Sequence, residues 1–305
     1  TSLTGITLPT TLVKIGDLAF SDCNKLASIT VPVAVATIGE NAFMDCRDLK
    51  SVSFVPGALV SLGDNAFAGC GNLVQISLPQ GLTAIGDGVF SGCTTMAWIY
   101  IPDSVKSIGW YAFSNCTSLR KITIPESVEE IVAGAFAGCS LLEMVIISNN
   151  VSDIGYSTFY NCSALQYNVK DGLKYLGSET NKYLYLVGVT DTNVTSVTID
   201  SGCKFIGLEA FKDCTKLTSV VIPDGVTAIG ASAFSGCIKL TSVEIPNSVK
   251  YIDYIAFYNC SSLTNVVIPD GVTSVGAGAF CGCTLLSSVE IPDSVKVIGA
   301  GAFYN

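Results

Sequence analysis

The sequence predicts an elongated, right-handed solenoid of about twelve coils, mainly β, with a parallel sheet of short strands, turns and short 3₁₀ or helical corners. Two observations predict this fold. A phenylalanine, usually preceded by alanine, recurs every 23 residues with a single interval of 24, and a cysteine follows nearly every one of them three residues later. The first ladder contains Phe20, Phe43, Phe67, Phe90, Phe113, Phe136 and Phe159, and the second contains Phe211, Phe234, Phe257, Phe280 and Phe303.

One complete repeat, from Cys93 to Ser114, shows how a coil forms. Side chains alternate over Trp98–Ile101, so Ile99 and Ile101 point inward while Trp98 and Tyr100 point outward. Pro102 ends this strand and the next two residues provide a turn, after which Val105–Ile108 forms a second short extended segment. The remaining inward positions of this coil are Cys93, Met96, Val105, Ile108, Ala112 and Phe113.

A single coil cannot bury its apolar side, so stability depends on the stack. Parallel strands about 4.8 Å apart let neighbouring coils share one core. Burial of a Phe and several Ile or Val side chains per coil, at about 1.5–3 kcal/mol each, offsets the loss of chain entropy.

Composition narrows the functional class. The 305 residues carry a formal charge of −9 and no basic run, which argues against nucleic acid as a partner. No segment approaches the roughly 18 consecutive apolar residues of a membrane span, so we expect no membrane insertion. The first residues, TSLTGITLP, lack the features of a signal peptide.

The repeat has a specific family resemblance. The segments Cys116–Phe136 and Cys237–Phe257 closely follow C-x-x-L-x-x-V-x-I-P-x-x-V-x-x-I-G-x-x-A-F. This pattern resembles the treponemal-type, 23-residue leucine-rich repeat of the BspA-like surface proteins, and it covers nearly the whole chain. The resemblance implies a leucine-rich-repeat solenoid from a bacterial or protozoan protein that is secreted or displayed at the cell surface and takes part in adhesion and host interaction. The family has no general catalytic motif, so the resemblance assigns no catalytic residues to this chain.

The repeat is interrupted once. We predict a single solenoid over 1–305, with regular repeats at 1–166, an irregular repeat with an inserted β-hairpin at 167–194, and regular repeats at 195–305. Two alternating apolar runs on either side of Ser178–Lys182 predict the hairpin. The insertion is either a structural element that covers apolar coils or an added part of a binding surface.

Chemistry of its own is not expected. The chain has no histidine, so Ser-His-Asp triads, Cys-His dyads and His-ligated metal sites are excluded. The best carboxylate pair, Glu244 and Glu290, occupies outward strand positions two coils apart and is interpreted as solvated surface. We therefore predict no enzyme activity, no metal and no cofactor.

The thirteen cysteines are predicted to be reduced and buried. Eleven of them fall in one column of the repeat, where parallel Cβ directions do not suit a disulfide and a small apolar side chain is needed. Cys203 is also assigned to the core, whereas Cys281 is the most exposed candidate.

Outward strand positions in the middle of the chain differ from the Ser- and Thr-rich ends. We predict that they bind a partner, since aromatic clusters are enriched in binding hot spots. Alternatively, the inserted hairpin folds over this strip and buries it. The candidate partner-binding residues are Trp98, Tyr100, Lys121, Met144, Ile146 and Tyr167.

The sequence thus favours a non-catalytic, extracellular or cell-surface binding or adhesion module whose partner is a protein or glycan. The alternative is a passive spacer that holds another domain away from the cell, and end-to-end self-association stays open. The chain starts inside a strand motif and stops just before the next expected Cys. We therefore expect capping repeats, a secretion signal and an anchor to lie outside these residues.

Overall fold

The computed structural model describes residues 2–57 and 59–304, which form two compact units. Unit 1 is Thr1–Gln166 and unit 2 is Tyr167–Asn305. The boundary falls where the first run of regular repeats was predicted to end. Each unit is a parallel β-solenoid, whereas the single solenoid over 1–305 stays a prediction.

Most regular coils have two strands. We call the segment that follows the Cys turn the front strand, and the shorter segment before the Phe corner the rear strand. In the coil of Trp98 the predicted front strand is reduced to a bridge between Tyr100 and Ser77. The front strands of unit 1 are β2 (Ser28–Val31), β4 (Ser51–Phe54), β6 (Gln75–Ile76), β9 (Lys121–Thr123) and β11 (Met144–Ile146). Its rear strands are β1 (Lys14–Ile15), β3 (Thr37–Ile38), β5 (Ser61–Leu62), β7 (Ala84–Ile85), β8 (Ser107–Ile108), β10 (Glu130–Ile131) and β12 (Asp153–Ile154).

Unit 2 repeats this plan after an irregular start. The irregular segment contains β13 (Asn168–Lys170), β14 (Leu173–Leu176) and β15 (Tyr185–Val189). The front strands are β16 (Ser196–Thr198), β18 (Ser219–Val221), β20 (Ser242–Glu244) and β22 (Asn265–Val267). The rear strands are β17 (Phe205–Ile206), β19 (Ala228–Ile229), β21 (Tyr251–Ile252), β23 (Ser274–Val275) and β24 (Val297–Ile298).

Pairing between coils is parallel and follows the repeat. Ser28 pairs with Ser51 in the front strands, and Ile131 pairs with Ile154 in the rear strands. In each unit the Phe rings therefore stack, with centroids 5.1–5.8 Å apart in unit 1 and 5.0–5.3 Å apart in unit 2. This confirms the predicted continuous core of Phe, Cys, Leu, Ile and Val columns.

The Phe corners differ from the predicted helical corners. Among residues 2–57 and 59–304, no residue lies in an α- or 3₁₀-helix, and the corners are successive turns. In the corner around Phe43, alternate N–H groups donate to the next coil, from Asn41 to Asp64 (2.9 Å) and from Phe43 to Ala66 (2.8 Å). A helix would need these N–H groups for its own carbonyls, so stacking replaces the helix.

Two residues of most corners have a positive φ. They lie two residues before and two residues after the Phe, as Asn41 (φ 53°) and Asp45 (φ 56°) do around Phe43. Asn, Asp and Gly tolerate this region better than other residues. That preference explains why Asp, Asn or Gly precedes each Cys of the repeat column.

The irregular segment is a three-stranded antiparallel meander. β14 pairs with β15 on either side of the loop that contains Ser178–Lys182, which confirms the predicted hairpin. β13 adds a third strand that the sequence analysis did not predict, and it pairs with β14 across Asp171-Gly172. Both turn residues have a positive φ, 49° and 78°, as a tight two-residue hairpin turn requires.

Candidate functional site

The candidate site lies on the outward side of the front strands of unit 1, here called the front face. In the coil that carries Trp98, burial alternates as predicted. Ile99 and Ile101 are buried, whereas Trp98 is 51% exposed and Tyr100 is 52% exposed. The inward isoleucines anchor this segment in the core, so both aromatic rings are presented to solvent.

Strand register brings the candidate residues of unit 1 onto adjacent coils. Met144 pairs with Lys121, and Ile146 pairs with Thr123. Tyr100 bridges to Ser77 in the preceding coil. Since neighbouring strands lie about 4.8 Å apart, Trp98 and Met144 flank Lys121 on its two sides.

These side chains do not belong to the core of unit 1. Met144 is 50% exposed, similar to Trp98 and Tyr100, while Ile146 is half-buried and Lys121 is exposed. A core aromatic in this unit, such as Phe113, has no exposed surface. Trp98, Tyr100 and Met144 are therefore not part of the core of unit 1. The inserted hairpin belongs to unit 2, and both a role in binding and a hairpin folded over this strip stay predictions.

Tyr167, the sixth candidate, belongs to unit 2. The 23-residue spacing predicts that Tyr167 is in register with the front strands, but the chain instead enters the meander, where β13 pairs with β14. The Asp171-Gly172 turn reverses the chain too early for a regular coil. Tyr167 is half-buried, and the Lys174 ammonium lies 5.8 Å from its ring centroid.

Charge on the front face of unit 1 is sparse. Lys121 is the only charged residue among its outward positions, which are otherwise hydroxyl, amide, aromatic or aliphatic. The adjacent Arg120 binds Glu143, with Nη1 and Oε1 2.6 Å apart. In the described part of the chain, no ion pair involves Lys121.

The meander covers the first coil of unit 2. β15 pairs in parallel with the rear strand β17, matching Tyr185 with Phe205 and Leu186 with Ile206. Leu173, Tyr175 and Leu186 join the hydrophobic core of the unit. The inserted segment therefore packs on the first coil of unit 2 as a cap, which agrees with a structural role, while a part in binding stays a prediction.

Polar contacts fix the meander to the same coil. The Asp200 N–H donates to the Tyr175 hydroxyl (3.1 Å), and Asn181 donates to the Gly202 carbonyl (2.8 Å). Partial burial tends to raise the pKa of Asp200, but the Lys170 ammonium at 2.5 Å and the Gly202 N–H together lower the pKa. These contacts give the cap one defined position.

The cysteine column is structural, as predicted. All thirteen thiols are free, Cys203 is buried, and Cys281 is half-buried. The thiols also have a polar role that the spacing of the cysteines does not indicate. In most coils the thiol donates to the Phe carbonyl of the preceding coil, as Cys116 Sγ does to Phe90 (3.2 Å). Burial raises the pKa of Cys116 to about 12, so its thiol stays protonated and unreactive at neutral pH.

The carboxylate pair lies on unit 2. Glu244 and Glu290 are exposed and line an open cavity of about 1000 Å³, together with Asp224 and Asp270. Their exposure agrees with the solvated-surface interpretation. Within residues 2–57 and 59–304, no group of three or more Asp, Glu, Cys or His side chains is arranged to hold a metal ion. No helix in those ranges is long and apolar enough to cross a membrane.

Several solved structures are similar to this chain. The pneumococcal vaccine antigen PcpA is 24% identical, with a TM-score of 0.53, over 97% of this chain and 75% of that one. A leucine-rich cell surface protein from Faecalibacterium prausnitzii A2-165 is 26% identical, with a TM-score of 0.44, over 94% and 87%. A leucine-rich-repeat protein from Bacteroides ovatus ATCC 8483 is 27% identical, with a TM-score of 0.40, over the same shares.

The repeat itself identifies the family. No curated protein matches the chain. The BspA type leucine-rich repeat region matches at residues 1–93, 60–186 and 189–305, which together span nearly the whole sequence. The chain therefore belongs to the BspA-type leucine-rich-repeat family.

Proposed function

We propose that this chain is a non-catalytic binding module that holds a macromolecular partner on the front face of unit 1. The observation that carries the proposal is the exposure of Trp98 and Tyr100 at positions where the three preceding front strands carry Ser, Thr or Gln. Each ring leaves about half of its surface in water, which costs free energy that burial against a partner would recover.

The site extends over three coils. Lys121 and Met144 continue it beyond the aromatic pair, with Ile146 at its edge. Flexible Met side chains adapt to irregular partner surfaces, and aromatic side chains give large contact areas at low entropic cost. Membership of the BspA-type family supports an extracellular or cell-surface location and a role in adhesion.

A binding screen tests the proposal. The purified chain is presented to extracellular-matrix proteins and to a glycan array beside the double variant Trp98→Ala/Tyr100→Ala. We expect to find a partner whose affinity is at least tenfold lower for the double variant, since each removed hot-spot side chain costs more than about 1 kcal/mol of binding free energy.

A matched aromatic pair on the same unit provides the control. Trp110 and Tyr156, each 44% exposed, contact one another edge to face at 6.0 Å on the corner side of unit 1. The double variant Trp110→Ala/Tyr156→Ala should keep the partner. Equal losses in both variants, or no partner at all, would contradict the proposed site, and the second result would favour a passive spacer.

A further inference from the structure

The front faces of the two units carry charges of opposite sign. The outward positions of unit 1 contain one charged residue, Lys121, whereas those of unit 2 contain two, Glu244 and Glu290. The whole chain has a formal charge of −9. The protein is acidic overall, yet the charged side chain beside Trp98 and Tyr100 is a cation.

The surroundings of Lys121 leave its charge available. Arg120 and Glu143, which precede the front strands β9 and β11, neutralise one another. Asp103 and Glu126 follow the prolines that end the strands, so they lie in the turns beyond the face. Lys121 pairs with Met144 on the following coil. The Arg120 N–H donates to the Ala97 carbonyl (3.2 Å), which aligns Lys121 with Trp98 on the preceding coil.

The rest of the face is suited to hydroxyl groups. Ser77 bridges to Tyr100, and Thr123 pairs with Ile146 at the same level of the strands. Hydroxyl groups both donate and accept hydrogen bonds, and the Tyr100 ring adds another such group. The C–H face of a sugar ring packs on the electron-rich face of an indole or phenol for the same electrostatic reason that aromatic edges do.

We propose that the front face of unit 1 binds a carboxylated glycan, with a sugar ring on Trp98 and Tyr100 and the carboxylate on Lys121. This inference rests on the proposed function and names its partner class. Trp98 and Met144 lie two coils apart, a span of about 9.6 Å that accommodates a disaccharide. A single lysine matches one carboxylate per disaccharide, whereas densely sulfated chains need clusters of basic residues.

The experiment compares each glycan with a neutral counterpart. The probes are hyaluronan octasaccharide and its methyl ester, and sialylated glycans beside their carboxyl-methylated forms. We expect binding of at least one carboxylated probe, a loss of about tenfold on methylation, and a similar loss in Lys121→Gln, since a charge-assisted hydrogen bond is removed in both cases. Lys106→Gln removes the same charge elsewhere on unit 1 and should bind normally.

A spectroscopic measurement locates the sugar. The chain has two tryptophans, so Trp110→Phe leaves Trp98 as the only reporter. Titration with the bound probe should shift the emission of Trp98, and Trp98→Ala should abolish binding without lowering the melting temperature by more than a few degrees.

The outcomes separate the two proposals. Equal binding of neutral and carboxylated probes, or an unaffected Lys121→Gln variant, overturns the carboxylated glycan. A protein partner that depends on Trp98 and Tyr100, with no glycan bound, also overturns it while the proposed function stands. If neither proteins nor glycans depend on these rings, both proposals fail.

Discussion

The interiors of the two units contain the same columns of residues, whereas their surfaces differ. Their Phe columns stack at nearly the same spacing, and their cysteines make the same thiol-to-carbonyl contact, as Cys116 does in unit 1 and Cys260 in unit 2. Outward, unit 1 presents Trp98 and Lys121, whereas unit 2 presents serines, valines and two glutamates. Stacking constrains every inward position, so only outward positions are free to specify a partner.

A second difference lies at the start of each unit. Unit 1 contains only regular coils, whereas unit 2 opens with the meander of β13, β14 and β15. The meander supplies Leu186 and Tyr175 to the core of unit 2 beside its first coil. Irregular sequence in this solenoid therefore has a structural purpose, and irregularity alone is a poor guide to a binding site.

The largest predicted effect separates interior from surface within unit 1. Phe113→Ala should lower the free energy of unfolding by about 3–5 kcal/mol, because the ring is fully buried between two stacked neighbours. Trp98→Ala should lower it by at most about 1 kcal/mol. Urea denaturation of both variants checks the contrast. Comparable losses would mean that Trp98 belongs to the core.

The next effect concerns the cap. Leu186→Ala should destabilise unit 2 by about 3 kcal/mol, because its side chain has no exposed surface. Hydrogen exchange should show the loss of protection at β17, with which β15 pairs. Val169→Ala, an exposed position of the same meander, is the control. Unchanged protection at β17 in Leu186→Ala would contradict the capping role.

Much of the fold could be predicted from residue spacing. A constant period fixes the register, and alternation around Ile99 and Ile101 fixes which side of the front strand faces inward. The inward Cys column follows from the same period. These features depend on local pattern, which a single sequence contains in full.

Other features depend on contacts between coils. The corners form turns because alternate N–H groups bond to the next coil, and no helix propensity reports that competition. Asp171-Gly172 is typical of a two-residue hairpin turn and indicates the third strand of the meander. The 23-residue spacing assigns Tyr167 to a regular coil because spacing alone takes no account of this turn. The thiol contact to the Phe carbonyl needs the coordinates of two coils.

A smaller effect compares one corner position in the two units. Ile255 has a φ of 46°, which is unfavourable for a β-branched residue, while Asn65 holds the corresponding place in unit 1 at 54°. Ile255→Asn should stabilise the protein by about 1 kcal/mol, and Asn65→Ile should destabilise it by a similar amount.

Thermal and urea denaturation of this reciprocal pair measures both signs. The two variants are matched, since each exchanges the same residue types at equivalent corners. If both substitutions changed the free energy of unfolding in the same direction, packing of the side chain, rather than its backbone conformation, would decide stability at this position.

The smallest effect depends on pH and arises at Asp253, which departs from the repeat consensus in unit 2. Asp253 stands where most coils have glycine before the corner, so its carboxyl group is partly buried, and burial raises its pKa. The Tyr254 N–H donates to its Oδ1 at 2.6 Å and partly opposes that shift. A raised pKa in the folded state means that the neutral form is favoured there, so this group stabilises the fold below the ordinary Asp pKa and loses that contribution as pH rises through the folded value.

Asp253→Asn removes the charge and keeps an oxygen that can accept the Tyr254 N–H. Its melting temperature should therefore exceed that of the parent protein at pH 7, and the difference should vanish below about pH 3, where both side chains are neutral. Asp270→Asn, an exposed carboxylate of the same unit, should show no comparable change. A gain at pH 7 that persists at pH 3 would have to come from packing or hydrogen bonding of the amide, because no charge remains to be removed there.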